Sequence, residues 1–230
     1  MKKKLVILTG AGISAESGIQ TFRDTDGLWE GHNVNDVATP EGWNRNPELV
    51  MDFYNKRRAQ LHTVIPNLAH EILAELEQNF DVTIITQNVD NLHEKAGSTD
   101  VVHLHGELLK VRSTVHKNYI LDWHNDLTFT DFDDKGNQLR PHIVWFGEDV
   151  PALENAVEIV QSADILMIIG TSLQVYPAAS LMNFAQEDIP VYYIDLKPAE
   201  VIHPPLNLKI IAAKASKGLQ SIQKELMKLK

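Results

Sequence analysis

The sequence predicts an α/β fold, a parallel sheet with helices on both faces plus a small inserted lobe. Three observations carry this expectation. Five short apolar runs recur along the chain without the polar alternation of a half-exposed strand. Helix-like segments lie between most of them, and three begin at a proline, where a missing N–H does no harm. One stretch, 107–142, breaks the rhythm with short alternating patterns and the acidic, turn-rich DLTFTDFDDKGNQ.

In chain order, the first strand is Leu5-Val6-Ile7-Leu8, which runs straight into LTGAGISAESG at residues 8–18. Helices are expected at 47–62, opened by Pro47, and at 67–79. The strand Val82-Thr83-Ile84-Ile85 ends in Thr86-Gln87-Asn88-Val89-Asp90, and Val101-Val102 leads into His103-Leu104-His105-Gly106-Glu107. After the insert comes Pro141-His142-Ile143-Val144-Trp145-Phe146-Gly147-Glu148, then a helix at 151–162 opened by Pro151. The strand at 165–169 ends in Gly170-Thr171-Ser172, and Pro177 opens a helix at 177–187. Strands at 191–194 and 208–211 and a helix at 216–229 complete the series.

The bulk numbers narrow the function. With 230 residues, 43% apolar and 23% charged, the chain can bury one good-sized core. A formal charge of −10 argues against a nucleic-acid surface, although Lys56-Arg57-Arg58 is locally basic. There is no cysteine, so disulfides, thiolate catalysis and cysteine-ligated zinc are excluded. The apolar run after Lys2-Lys3-Lys4 lasts four residues, too short for a signal peptide, and no stretch reaches membrane-spanning length. A cytoplasmic chain with no membrane or nucleic-acid partner is expected.

Each polar cluster has a functional and a plain reading. Gly10-Ala11-Gly12 lets a backbone approach a phosphate closely, or makes a tight βα turn. A dehydrogenase loop needs a second strand ending in an acid about 20 residues on. Glu30 is at that distance, but TFRDTDGLW is no strand, so hydride transfer is set aside. Gln87, Asn88 and Asp90 follow a strand end, where α/β proteins bind ligands; an N-cap is the alternative. His103 and His105 share one face if the strand persists, as a metal pair, a structural pair, or a base beside a packed neighbour. Val144, Trp145, Phe146 and Gly147 suit an apolar wall beside an extended backbone edge, or core packing. Gly170, Thr171 and Ser172 offer a second phosphate or ribose contact, or an ordinary turn.

The order of the blocks is more specific than any one of them. GAGISAESGI, TFRDTDGLW, TQNVDNLHEKAG, HLHGEL, PHIVWFGE and GTSLQVYPA together closely resemble the sirtuin family of NAD-dependent protein deacylases, over nearly the whole chain. The resemblance implies a Rossmann-like large domain at about 1–30, 75–106 and 143–230 that binds NAD. A small lobe at about 31–74 and 107–142 would close over it, with an acyl-lysine protein or peptide entering between them. The loop from Gly10 to Trp29 would hold the cofactor through Gly10, Ala11, Gly12, Ala15, Glu16 and Trp29, with Ala11, Phe22 and Arg23 near the nicotinamide ribose. Gln87, Asn88 and Asp90 would border the ribose and nicotinamide, with Asn88 and Asp90 also counted as catalytic. Gly170, Thr171 and Ser172 would meet phosphate and ribose, and Asp195, Leu196, Lys197 and Ala215 the adenosine end. His105 matches the family's general base, whereas His103 matches a position without that role. NAD is consumed: the acyl group passes to the ribose, releasing nicotinamide and O-acyl-ADP-ribose. A histidine suits proton transfer near neutral pH.

Acyl preference can be read further. Tyr54 and Arg57, at i and i+3 of a predicted helix, share a face, and a phenol with a guanidinium would pair with a carboxylate at the end of an acyl chain. This Y-x-x-R resembles the signature of the sirtuin subgroup that removes succinyl, malonyl and glutaryl groups, and Ala38 matches the small residue that widens its pocket. A solvated basic helix face is the plain reading of the same residues. Activity on acetyl-lysine is expected to persist.

Two departures stand out. Most sirtuins tie the small lobe with four zinc-binding cysteines; here Ser113 stands where the first is expected and DFDDKGNQ where the last pair falls. The expectation is a lobe without zinc, packed around Tyr119, Leu121, Trp123 and Phe129. Asp195 and Lys197 replace the family's usual Asn and Glu. An aspartate still accepts from a ribose diol; Lys197 has no ready account. Alternatives to deacylation are ADP-ribosyl transfer to protein, NAD hydrolysis, and a non-catalytic NAD or ADP-ribose sensor.

Overall fold

The computed structural model of the chain describes residues 1–21, 28–29 and 31–230. Its elements begin with β1 (Lys4–Thr9), α1 (Ala11–Ser14) continued by a 3-10 turn (Ala15–Ser17), β2 (Leu28–Trp29) and β3 (His32–Asn33). Next come α2 (Val34–Val37), α3 (Pro40–Arg45), α4 (Pro47–Leu61), α5 (Leu68–Leu76), β4 (Asp81–Thr86), α6 (Leu92–Ala96) and β5 (Val101–His103). The insert holds β6 (Gly106–Ser113) and β7 (Ile120–Asp122), and β8 (Leu139–Ile143) returns from it. Then follow α7 (Leu153–Gln161), β9 (Ile165–Ile169), a 3-10 helix (Ala178–Phe184), β10 (Val191–Asp195), β11 (Leu208–Ala212) and α8 (Ala215–Leu226).

Six strands form a parallel sheet in the order β11-β10-β9-β1-β4-β5. The continuous apolar runs are explained by burial on both faces, because successive side chains alternate between them. Leu5, Ile7, Ile84, Met167, Ile169 and Ile194 pack under α5 and α8. Val6, Leu8, Ile85, Leu166, Ile168 and Tyr193 pack under α7 and the 3-10 helix. Helices therefore cover both faces, as the sequence predicts.

The structure differs from the sequence reading in three places. Ala69, Ile72 and Leu73 of α5 lie in the sheet core, so residues 68–74 pack with the large sheet and not with the helical part of the lobe, where the sequence reading put them. The helix expected at 177–187 is a 3-10 helix. β11 is an edge strand with Lys209, Ile210 and Ala212 exposed, unlike the doubly buried strands.

In the lobe, β6 pairs antiparallel with β7 and β8. One cluster joins it to α4 through Phe53, Tyr54, Leu108, Ile143 and Trp145; a smaller one holds Met51, Val111, Leu127 and Leu139. Tyr119 and Trp123 flank the smaller cluster, but Leu121 and Phe129 are exposed, which corrects the packing expected of them. Where zinc cysteines are expected, the buried Asp133 carboxylate accepts from the Ser113 hydroxyl (2.6 Å), the Lys135 and Asn137 amides and the Asn137 side chain. Burial works against its charge, and these donors outweigh it, holding the carboxyl well below its ordinary range. Ser113 Oγ in turn accepts from the Val115 and His116 amides. Among the described residues no group of three or more His, Asp or Glu side chains could hold a metal.

Candidate active site

The chain runs from β1 outward to β4 and β5, then crosses back to β9 and continues outward to β10 and β11. The strand order reverses between β1 and β9, where a crevice opens at the carboxyl ends of the strands. A glycine follows each strand there, Gly10 after β1 and Gly170 after β9. The Gly10 amide donates to the Ile169 carbonyl (3.1 Å) and the Gly12 amide to the Gly170 carbonyl (2.8 Å). A Cβ on Gly12 would stand 2.7 Å from Gly170 Cα, and one on Gly170 2.3 Å from the Ile13 nitrogen. Gly170 also has φ of +65°, a region that favours glycine. Gly10 and Gly12 are thus fixed by backbone meeting backbone across the reversal, a reason that their spacing does not reveal; Gly18 instead has φ of +90°.

A cavity of ≈480 Å³ occupies this crevice and extends under the lobe. Gly10, Ala11, Gly12, Ala15 and Glu16 form its floor with Gly170, Thr171 and Ser172, and Trp29 closes one end. Gln87, Asn88, Asp90 and His105 line one wall, Ala38, Tyr54 and Val144–Gly147 the lobe side, and Asp195, Leu196, Lys197 and Ala215 the far end. Phe22 and Arg23 lie outside the described residues. Arg57 does not line the cavity. It is half-buried with its guanidinium 4.9 Å from the centre of the Phe53 ring, one ring behind Trp29 and Tyr54.

The wall is a hydrogen-bonded chain. Asn88 Nδ2 donates to Ser14 Oγ (3.1 Å), which donates to Asp90 Oδ2 (3.0 Å); all three side chains are buried. Burial pushes the Asp90 carboxyl up, against donation from the Leu92 amide and Ser14. Ser14 was not singled out by sequence; it sits on the buried face of a one-turn helix, and no spacing marks it. His105 Nδ1 lies 3.0 Å from the Gln87 carbonyl. A carbonyl only accepts, so Nδ1 carries the proton and Nε2 the lone pair. Burial lowers the pKa of His105, partly offset by that carbonyl, and keeps the ring neutral at neutral pH. Its neighbour His103 bonds to the Asn88 carbonyl and to Glu94.

Polar groups at the far end of the cavity are partly engaged. The Glu16 oxygens accept from the amide and hydroxyl of Ser216 in the first turn of α8, so this predicted cofactor contact also caps a helix. Asp195 is buried at the end of β10, with Oδ1 accepting from the Lys197 amide (2.7 Å). Gln87 Nε2 donates to Thr171 Oγ1 (3.1 Å), tying the wall to the floor.

Under the lobe, Tyr54 is fully buried and its hydroxyl accepts from Trp145 Nε1 (3.1 Å). Burial holds the phenol protonated, well above its ordinary range. Trp145 is fixed from behind. Arg140 stacks 3.2 Å from its ring centre, and Glu148 accepts from the Trp145 amide, Arg112 and Arg140. Neither Arg140 nor Arg112 carries a sequence signal. The amides of Val144, Trp145 and Phe146 donate to the His105 carbonyl, Glu148 and the Ala38 carbonyl. Those three donors are therefore engaged within the chain.

Comparison with known proteins agrees with this geometry. The profile of the Sir2 family matches residues 10–177. An NAD-dependent protein deacylase of Helicobacter pylori is 56% identical over 227 residues, covering 99% of each chain. One from Bacteroides thetaiotaomicron is 53% identical over 231 residues, covering 98% of each. Among solved structures, a Sir2 homologue in complex with NAD superposes with a TM-score of 0.87 at 38% identity, covering 99% of this chain and 91% of that one.

Proposed function

The chain belongs to the Sir2 family and is an NAD-dependent protein deacylase, and on that premise we propose that it removes succinyl and malonyl groups from lysine, with acetyl as a further substrate. NAD is the co-substrate; it supplies an electrophilic ribose carbon and nicotinamide as leaving group. The residues present fit it. The floor at Gly10, Gly12 and Gly170 has no room for a Cβ, and a buried carboxylate, Asp195, lines the far end of the cavity. In our reading the Asn88–Ser14–Asp90 chain holds the nicotinamide end. His105 takes a proton from a ribose hydroxyl at Nε2, because its Nδ1 proton is committed to Gln87.

The acyl preference rests on one observation: the Tyr54 hydroxyl, at the lobe side of the cavity beside Ala38, accepts its hydrogen bond from Trp145. Its own O–H proton is therefore available to an acceptor such as a carboxylate. Arg57, one turn along α4 from Tyr54, would supply the countercharge. The test incubates the protein with NAD and matched succinyl-, malonyl- and acetyl-lysine peptides and reads products by mass. NAD-dependent loss of the acidic acyl groups, with O-acyl-ADP-ribose formed, is expected. Turnover of acetyl alone, or ADP-ribosylated peptide as product, would sink the proposal.

A further inference from the structure

His103 lies two residues before the proposed base and has no assigned part in the reaction. Its Nδ1 is 3.0 Å from the Asn88 carbonyl oxygen and its Nε2 2.7 Å from Glu94 Oε1, with its side chain only 8% exposed. A carbonyl and a carboxylate both accept and neither donates. Only with both ring nitrogens protonated, as an imidazolium, does the ring donate to both. His105 grips the preceding carbonyl, Gln87, in the same way through Nδ1. The two rings hold successive carbonyls of the segment from which Asn88 and Asp90 reach Ser14.

The groups around the His103 ring are Glu94 and His93 on α6, Glu107 and Lys110 on β6, and Asp90 in the loop before α6. Burial opposes the charge of His103, but the hydrogen bond and charge of Glu94, with Glu107, outweigh it and raise its pKa. Lys110 is paired with Glu107 at 2.8 Å.

We propose that His103 is a positioning residue for the reaction: held by Glu94, its ring pins the Asn88 carbonyl and so fixes the loop that presents Asn88 and Asp90 to the nicotinamide end. This rests on the reading that those two side chains border that end. Loss of the second ring proton would turn a lone pair toward the Glu94 carboxylate and release the clamp. The KM for NAD should then rise on the alkaline side. In Glu94→Gln the amide N–H can donate to that lone pair, so a neutral ring fits and the alkaline rise should vanish.

The protein is assayed with an acyl-lysine peptide for KM(NAD) from about pH 6 upward, spanning the ordinary histidine value of about 6.5 and the alkaline side above it. Inhibition by nicotinamide and calorimetric binding of ADP-ribose, which lacks nicotinamide, are measured alongside. His103→Leu should weaken nicotinamide inhibition and raise KM(NAD) about tenfold or more, the effect of losing a charge-assisted hydrogen bond, with ADP-ribose binding unchanged within about twofold. His103→Gln should be as poor, because its amide oxygen would face Glu94; adding Glu94→Gln should restore it. Unchanged nicotinamide inhibition, or an equal loss of ADP-ribose binding, overturns the proposal. If His103→Leu does not fold, Glu94→Gln decides alone, and an alkaline rise equal to that of the unsubstituted protein is the overturning result. Asn88→Ala separates the two readings. If it leaves nicotinamide inhibition intact, the assignment of the nicotinamide end fails; if it weakens inhibition while His103→Leu does not, only the positioning role fails.

Discussion

Gly170→Ala perturbs the floor of the cleft at its tightest point. The new Cβ would stand 2.3 Å from the Ile13 nitrogen and 2.6 Å from the Gly12 carbonyl carbon, both backbone atoms that cannot swing aside. Holding a non-glycine residue at φ +65° costs roughly 1–2 kcal/mol. Relief of the clash must part the β1 and β9 ends, losing the Gly10–Ile169 and Gly12–Gly170 hydrogen bonds at about 1 kcal/mol net each. The sum is about 3–4 kcal/mol, with NAD binding lost as the floor opens. Gly136→Ala is the control. Its φ is +81° but nothing lies within 4 Å of the added Cβ, so only the conformational cost of roughly 1–2 kcal/mol applies. Gly12→Ala strikes the same contact from the other side, so the double variant should lose less than the sum of the singles. Urea unfolding with calorimetric NAD binding measures both effects. Equal losses for Gly170→Ala and Gly136→Ala, or strict additivity with Gly12→Ala, would refute the interlocked-backbone argument.

Burial lowers the His105 pKa, and in the proposed reaction the neutral ring is the base, so activity should be full above that pKa and lost as pH falls through it. The acid limb of kcat/KM should lie below the ordinary histidine value of about 6.5, and a limb above it would contradict the assignment. His70, buried beside the His93 ring, is held by burial at about 4. Unfolded chains take up that proton below about 6.5 and the native state does not. Stability is therefore full above that pH and should fall by roughly 2 kcal/mol by pH 5. His70→Gln, which can keep the cap on the Asn67 amide, should flatten this fall in urea unfolding compared at pH 7 and pH 5. In the lobe, Asp133→Ala should lower the melting temperature, whereas EDTA should leave it unchanged and elemental analysis should find no stoichiometric zinc.

The sheet was legible because its strands are buried on both faces, so that Leu5–Leu8, Val82–Ile85 and Ile165–Ile169 read as unbroken apolar runs. Gln87, Asn88 and Gly170 were legible because they follow those strands directly, whereas Glu16, Ala38, Asp195 and Ala215 came only from the family resemblance. What escaped is set by contacts between distant segments. Ser14 acquires its place only when α1 meets the loop after β4, and Arg112 reaches Glu148 only when β6 pairs with β8. Arg57 shares a face with Tyr54 by helical spacing, yet its guanidinium follows Phe53, because periodicity fixes a face and not a rotamer. The 3-10 form of 178–184 and the exposure of Leu121 and Phe129 are likewise decided by tertiary neighbours.

The central claim is an NAD-consuming deacylase whose lobe recognises a carboxylate through Tyr54 and Arg57. Its most direct test is the ratio of kcat/KM for succinyl- over acetyl-lysine peptide, measured for the unsubstituted protein and for Arg57→Met. Loss of a charge-assisted pair predicts a fall in that ratio of about tenfold or more, with acetyl turnover nearly unchanged. An unaltered ratio, or an equal fall on both peptides, would contradict it.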